Sequence, residues 1–163
     1  MMRRLTLALA TAATIAFAAP ALAGPTEDFH LLMDQYWAAQ LKNSPTTATS
    51  VGVSDYDDQL DVLGLAEMDR QAAEANVFLQ RLRGIPAAQL NAADRVNYAI
   101  LTTNLTNSVE ANRFGQRQML YSTLGSYHDY YAGLAENQPF RTRADYEHYL
   151  ARIALVPERM DAY

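Results

Sequence analysis

"LNAADRVNYAILTTNLTNSVEANRF", residues 90–114, is the stretch on which the fold class turns. Its threonines, and the alternation of leucine with threonine, suit a half-buried strand. Its length and its opening suit a helix, because Asn91 is a good N-cap and Asp94 stands at the third helical position. The helical reading is adopted. Val96, Ala99, Ile100 and Thr103 then form one stripe, and Tyr98, Leu101, Leu105 and Val109 a second. Two stripes predict a helix buried on both sides.

Helical spacing recurs on either side of this stretch. In "TEDFHLLMDQYWAAQLKN" (26–43), Thr26 is placed to cap, and Glu27 and Asp28 suit the positive end of the helix dipole. Phe29, Leu32, Met33, Tyr36, Trp37 and Leu41 share a face. A further helix is expected over Ala66–Arg83, with Met68, Ala72, Ala75, Leu79 and Leu82 inward and Gly84 as its stop. Between these two helices, residues 43–64 are punctuated by Pro45, Gly52 and Gly64 and read as an ordered loop. Beyond residue 114, Gly115, Gly125 and Gly133 break any period, leaving a short helix around Ser126–Ala135. "TRADYEHYLARIALVP" (142–157) is plainer: Thr142 and Asp145 form a capping-box-like pair, and Tyr146, Tyr149, Leu150 and Ile153 share a face. In "VPERMDAY" (156–163), Val156, Met160 and Tyr163 again fall at helical spacing, so a helix is expected to be cut at Tyr163. The fold class predicted is an all-α array of four to five helices.

The first 23 residues read as an address. Arg3 and Arg4 precede an apolar run from Leu5 to Ala19, and Ala21-Leu22-Ala23 is a small-x-small end, so a secretory signal peptide cleaved between Ala23 and Gly24 is expected. Threonines interrupt the run and Pro20 ends it, which argues against a membrane-spanning helix. Export to the periplasm or medium follows. The formal charge of −5 becomes −7 on loss of Arg3 and Arg4, which speaks against nucleic acid or an anionic membrane surface as partner. The chain has no cysteine, hence no disulfide, no thiolate and no lipid-bearing cysteine, and no stable membrane anchor is expected after cleavage. The charge is uneven: Pro25–Asp69 holds nine acids and only Lys42, whereas nine acids and ten arginines follow. An acidic front half complementing an arginine-rich back half is one consequence to look for.

Signs of chemistry are sparse. His30, His128 and His148 are followed by Leu31, Asp129 and Tyr149, so the paired-histidine zinc helix, His-Glu-x-x-His, is absent. No catalytic, cofactor-binding or metal-binding residue is assigned. "SDYDDQLD" (54–61) gathers Asp55, Asp57, Asp58 and Asp61 but lacks the glycine and terminal glutamate of a calcium loop, and reads as a solvated acidic turn. Tyr127, His128, Tyr130 and Tyr131 form a tyrosine-histidine group that either lines a polar cleft or packs as core with hydroxyls at the edge.

Three stretches together resemble the beginning of the bacterial family called domain of unknown function 885. They are "DQYWAAQLKNSPTTATSVGVSDYDDQL" (34–60), "LNAADRVNYAILTTNL" (90–105) and "QPFRTRADYEHYLARIALVPERMDAY" (138–163). The resemblance implies a longer, mostly helical protein similar to zinc metallopeptidases, with the His-Glu-x-x-His-type helix beyond the part matched here. On that basis residues 24–163 are the N-terminal helical region of a longer domain, truncated at its C-terminal end. Zinc and a peptide or small-molecule substrate are expected in the full-length parent. The present helices would pack against the missing C-terminal region as a wall or lid, with Tyr127, His128, Tyr130 and Tyr131 lining the channel. Two other readings stand beside this one: a non-enzymatic exported helical binding or interaction module, and a catalytically dead relative that kept the scaffold.

Overall fold

Proline at the start of a helix loses nothing, because its missing N–H would have no partner there. Pro25 and Pro45 each open a helix in the computed structural model, which describes residues 24–62, 64–115, 118 and 127–161. Helix α1 runs Pro25–Asn43, α2 Pro45–Ser50, α3 Leu65–Arg83, α4 Ala92–Arg113, α5 Tyr127–Ala132, α6 Arg143–Ala154 and α7 Val156–Asp161. Short 3-10 turns at Ser54–Tyr56, Ala87–Gln89 and Leu134–Asn137 connect them. The chain is all-α, with no strand among the described residues.

The long helices α1, α3 and α4 build the apolar core. Phe29 and Leu32 of α1 meet Phe78, Leu79 and Leu82 of α3 and Leu101 and Leu105 of α4, and Ile85 and Leu90 of the connector close one end. Tyr36 sets its ring edge against Phe78 at 5.4 Å. A polar tie crosses this core's margin: His30 Nε2 lies 3.1 Å from both carboxylate oxygens of the buried Asp94, joining the second turn of α1 to the first turn of α4.

The caps explain the boundaries. Asn91 accepts the Asp94 amide at 2.9 Å and starts α4 as expected. At α6 the capping box is complete: Thr142 Oγ1 accepts the Asp145 amide, and Asp145 Oδ2 accepts the amides of Thr142 and Arg141. Thr26, by contrast, does not cap α1, because Pro25 starts the helix one residue earlier and Gly24 holds the cap position. Gly84 ends α3 in the right-handed region rather than the left-handed one.

Three predicted faces need correction. Val96 and Ile100 of α4 are 58% and 53% exposed, so α4 buries one stripe, that of Tyr98, Leu101 and Leu105, and not two. Trp37 stands 49% exposed at the edge of the α1 face. On α6, Tyr146 and Leu150 point outward and Arg152 is the buried residue. In each case the sequence shows helical spacing, but spacing cannot say how many neighbours arrive. The region 43–64, expected as an ordered loop, contains helix α2 and a 3-10 turn. The short helix expected at Ser126–Ala135 is Tyr127–Ala132, followed by Gly133 and the turn Leu134–Asn137. Ala23 and Tyr163 lie outside the described residues.

Candidate functional site

A short helix rich in Ser and Thr competes with its own side chains for backbone hydrogen bonds, so α2 needs an external anchor. Asp61 supplies it. Its carboxylate accepts the Thr46 amide at 3.0 Å and the hydroxyls of Ser44 and Thr46 at 2.8–3.1 Å, capping α2 from seventeen residues downstream of Ser44. The Ser44 side chain makes no cap bond of its own. The segment 44–61 thereby closes into a ring.

Arg152 of α6 fills that ring. It is 1% exposed, and its guanidinium donates to the carbonyls of Gln59 and Tyr56 at 2.7 Å, to Gln138 Oε1 at 2.8 Å and to Thr49 Oγ1 at 2.7 Å. Thr49 passes the interaction on, donating to the buried carboxylate of Asp57 at 2.6 Å. Arginine suits this position because its planar fork reaches several acceptors at once, which a point-charge ammonium does not. Burial pulls the guanidinium pKa down, while Asp57 and Asp61 hold it up. The acidic front of the chain does meet the arginine-rich back here, through one arginine and a hydroxyl relay.

A cleft of about 330 Å³ opens over this cluster. Thr46 and Ser50 of α2, Tyr130 of α5, Glu136 and Asn137 of the following turn and Arg152 are among its lining residues. Tyr130 bonds Thr46 through its hydroxyl at 2.6 Å, and because Thr46 Oγ1 gives its proton to Asp61, the phenol is the donor in that pair. Burial pushes the Tyr130 pKa well up, partly offset by the Thr46 bond, so the phenol stays protonated at neutral pH. The cleft presents hydroxyls, an amide and one carboxylate. That set suits hydrogen bonding to a polar group; among the described residues its hydroxyls bond to Asp61, to one another and to backbone carbonyls rather than to a histidine base.

Of the predicted lining residues, Tyr130 lines this cleft and Tyr131 stacks edge-on against it at 5.3 Å. Tyr127 and His128 lie on α5, with side chains outside the described set. Sequence reasoning missed Arg152, Thr49, Asp57 and Asp61. Their signal was present in two parts, a Ser/Thr run after Pro45 and an acidic run ten residues on, which together spell a capped turn rather than a solvated one. Among the described residues no group of three or more histidine and carboxylate side chains is placed to hold a metal ion.

No curated protein and no solved structure matches the chain. A family model does match, over residues 45–163, from the first residue of α2 onward and including the whole Arg152 cluster. The chain therefore belongs to the family described as bacterial protein of unknown function (DUF885).

Proposed function

We propose that this chain is the N-terminal helical part of an exported, zinc-peptidase-like hydrolase, and that its helices form a wall beside a reaction centre supplied by residues outside this sequence. The described residues do not fit a zinc site, so no step of peptide hydrolysis is assigned to them. The observation that carries the reading is the pair of exposed apolar rows. Val96 and Ile100 on α4, and Tyr146 and Leu150 on α6, sit four residues apart on single helix faces, an arrangement suited to a further layer of polypeptide. The Tyr130 cleft would then contribute hydroxyl oxygens and the Asn137 amide at the border of a substrate channel.

The test is made on the full-length gene product. Metal analysis is expected to return about one zinc per chain, and peptide hydrolysis is expected to stop with a chelator and return with zinc. A full-length product that binds no zinc and cleaves no peptide would overturn the reading and favour the binding module.

A further inference from the structure

A second cleft, of about 440 Å³, lies on another face, where the end of α1, the start of α3 and the junction of α6 with α7 converge. Its lining sets three cations, Lys42, Arg70 and Arg159, against two carboxylates, Glu67 and Glu74. Glu67 and Glu74 are both engaged by Arg70, which donates to Glu67 through Nε and a terminal nitrogen, to Glu74 at 3.5 Å, and to Asn43 Oδ1. Lys42 and Arg159 also line the cleft. Lys42 makes no ion pair among the described residues, and Arg159 spends one terminal nitrogen on the exposed Glu158 beside it. The Arg159 Nε is buried and has no acceptor among the described residues. Leu60, Val62 and Leu155 give the same cleft an apolar side.

We infer that this cleft binds a carboxylate carried on a short aliphatic body, with Lys42 and Arg159 taking the carboxylate and Leu60, Val62 and Leu155 the aliphatic part. The volume is within the range of small-ligand pockets, and an apolar wall with a few convergent polar groups is their usual make-up. A carboxylate supplies an acceptor to the Lys42 ammonium and to the Arg159 guanidinium, and its charge offsets the one by which the three cations of the lining exceed its two carboxylates. A phosphate would also meet the cations, but its larger charge and fully polar surface would leave the aliphatic wall uncovered. The inference is independent of the hydrolase reading. Peptide C-termini and free aliphatic acids share the chemistry, and the experiment separates them.

The full chain is titrated by calorimetry with N-acetyl-leucyl-leucine, with its C-terminal amide, and with 4-methylpentanoate. The free acid of the peptide is expected to bind at least about tenfold more tightly than its amide, the loss of one charge-assisted contact. Lys42→Gln and Arg159→Gln are each expected to weaken the acid about tenfold and leave the amide unchanged. Lys42 is exposed on α1, so its variant keeps the test decisive even where Arg159→Gln unfolds. Binding of 4-methylpentanoate as tight as that of the dipeptide assigns the site to aliphatic acids; binding of the dipeptide alone assigns it to peptide ends. Equal affinity for acid and amide, or full affinity in Lys42→Gln, overturns the inference.

Discussion

At the scale of single residues, Arg152 carries more of the architecture than any other polar side chain described. A buried guanidinium is costly to desolvate, and its acceptors are costly to strand once it is removed. Arg152→Ala is therefore expected to destabilise the chain by about 3–5 kcal/mol, read by urea unfolding. Arg152→Lys should recover less than half of that, because an ammonium cannot reach the carbonyls of Tyr56 and Gln59 together with Gln138 and Thr49. A lysine variant as stable as the parent would show that charge alone, not the fork, matters. Tyr130→Phe makes a milder comparison. It removes one donor to Thr46 and should cost about 0.5–1.5 kcal/mol in the same assay.

Elements show how capping and burial divide the work. Asp145 holds the first turn of α6, and the backbone amides of Thr142 and then Arg141 lower its pKa below the usual carboxylate value. A depressed folded-state pKa means that the contribution is fully present above the unfolded value of about 3.9 and is lost as pH falls through the folded value. The protection of the Arg141 and Thr142 amides against exchange, relative to their unstructured rates at the same pH, should accordingly fall below about pH 4, while Asp145→Asn, which keeps an acceptor oxygen, should flatten that dependence. On α4 the two stripes should answer differently to substitution. Leu101→Ala, in the core, is expected to cost about 2–5 kcal/mol by chemical unfolding, and Ile100→Lys, on the exposed stripe, less than about 0.5 kcal/mol in this chain. Equal costs would mean that the α4 stripe is covered after all.

Across the whole molecule, two kinds of cohesion meet. The three long helices are joined by apolar contact between α1, α3 and α4, whereas α6 packs most extensively on α7 and reaches the segment 44–61 through the Arg152 hydrogen bonds. Regions with few apolar contacts open at lower free energy than the core. Native-state hydrogen exchange should thus show α6 and α7 opening before α3 and α4, and Arg152→Ala should widen that gap. Simultaneous opening of all four helices would mean a single cooperative unit.

The helices and most of their ends are legible in the residues alone, because spacing and capping are local: Asn91 with Asp94 and Thr142 with Asp145 act within four residues, and each pair is read directly from the chain. The buried leucines of α3 and α4 are legible too, since an amphipathic face is written in the period. Which stripes are covered depends on how the helices pack. Val96 and Ile100 have the same spacing as Leu101 and Leu105, and the difference is that α1 and α3 lie against one side of α4. The interior place of Arg152 likewise comes from packing. Its acceptors lie more than ninety residues earlier, apart from Gln138, and an arginine in an amphipathic helix looks solvent-exposed until the ring closed by Asp61 is brought around it. Long-range polar pairing leaves no periodic trace, because it depends on where chain segments distant in sequence come together in space.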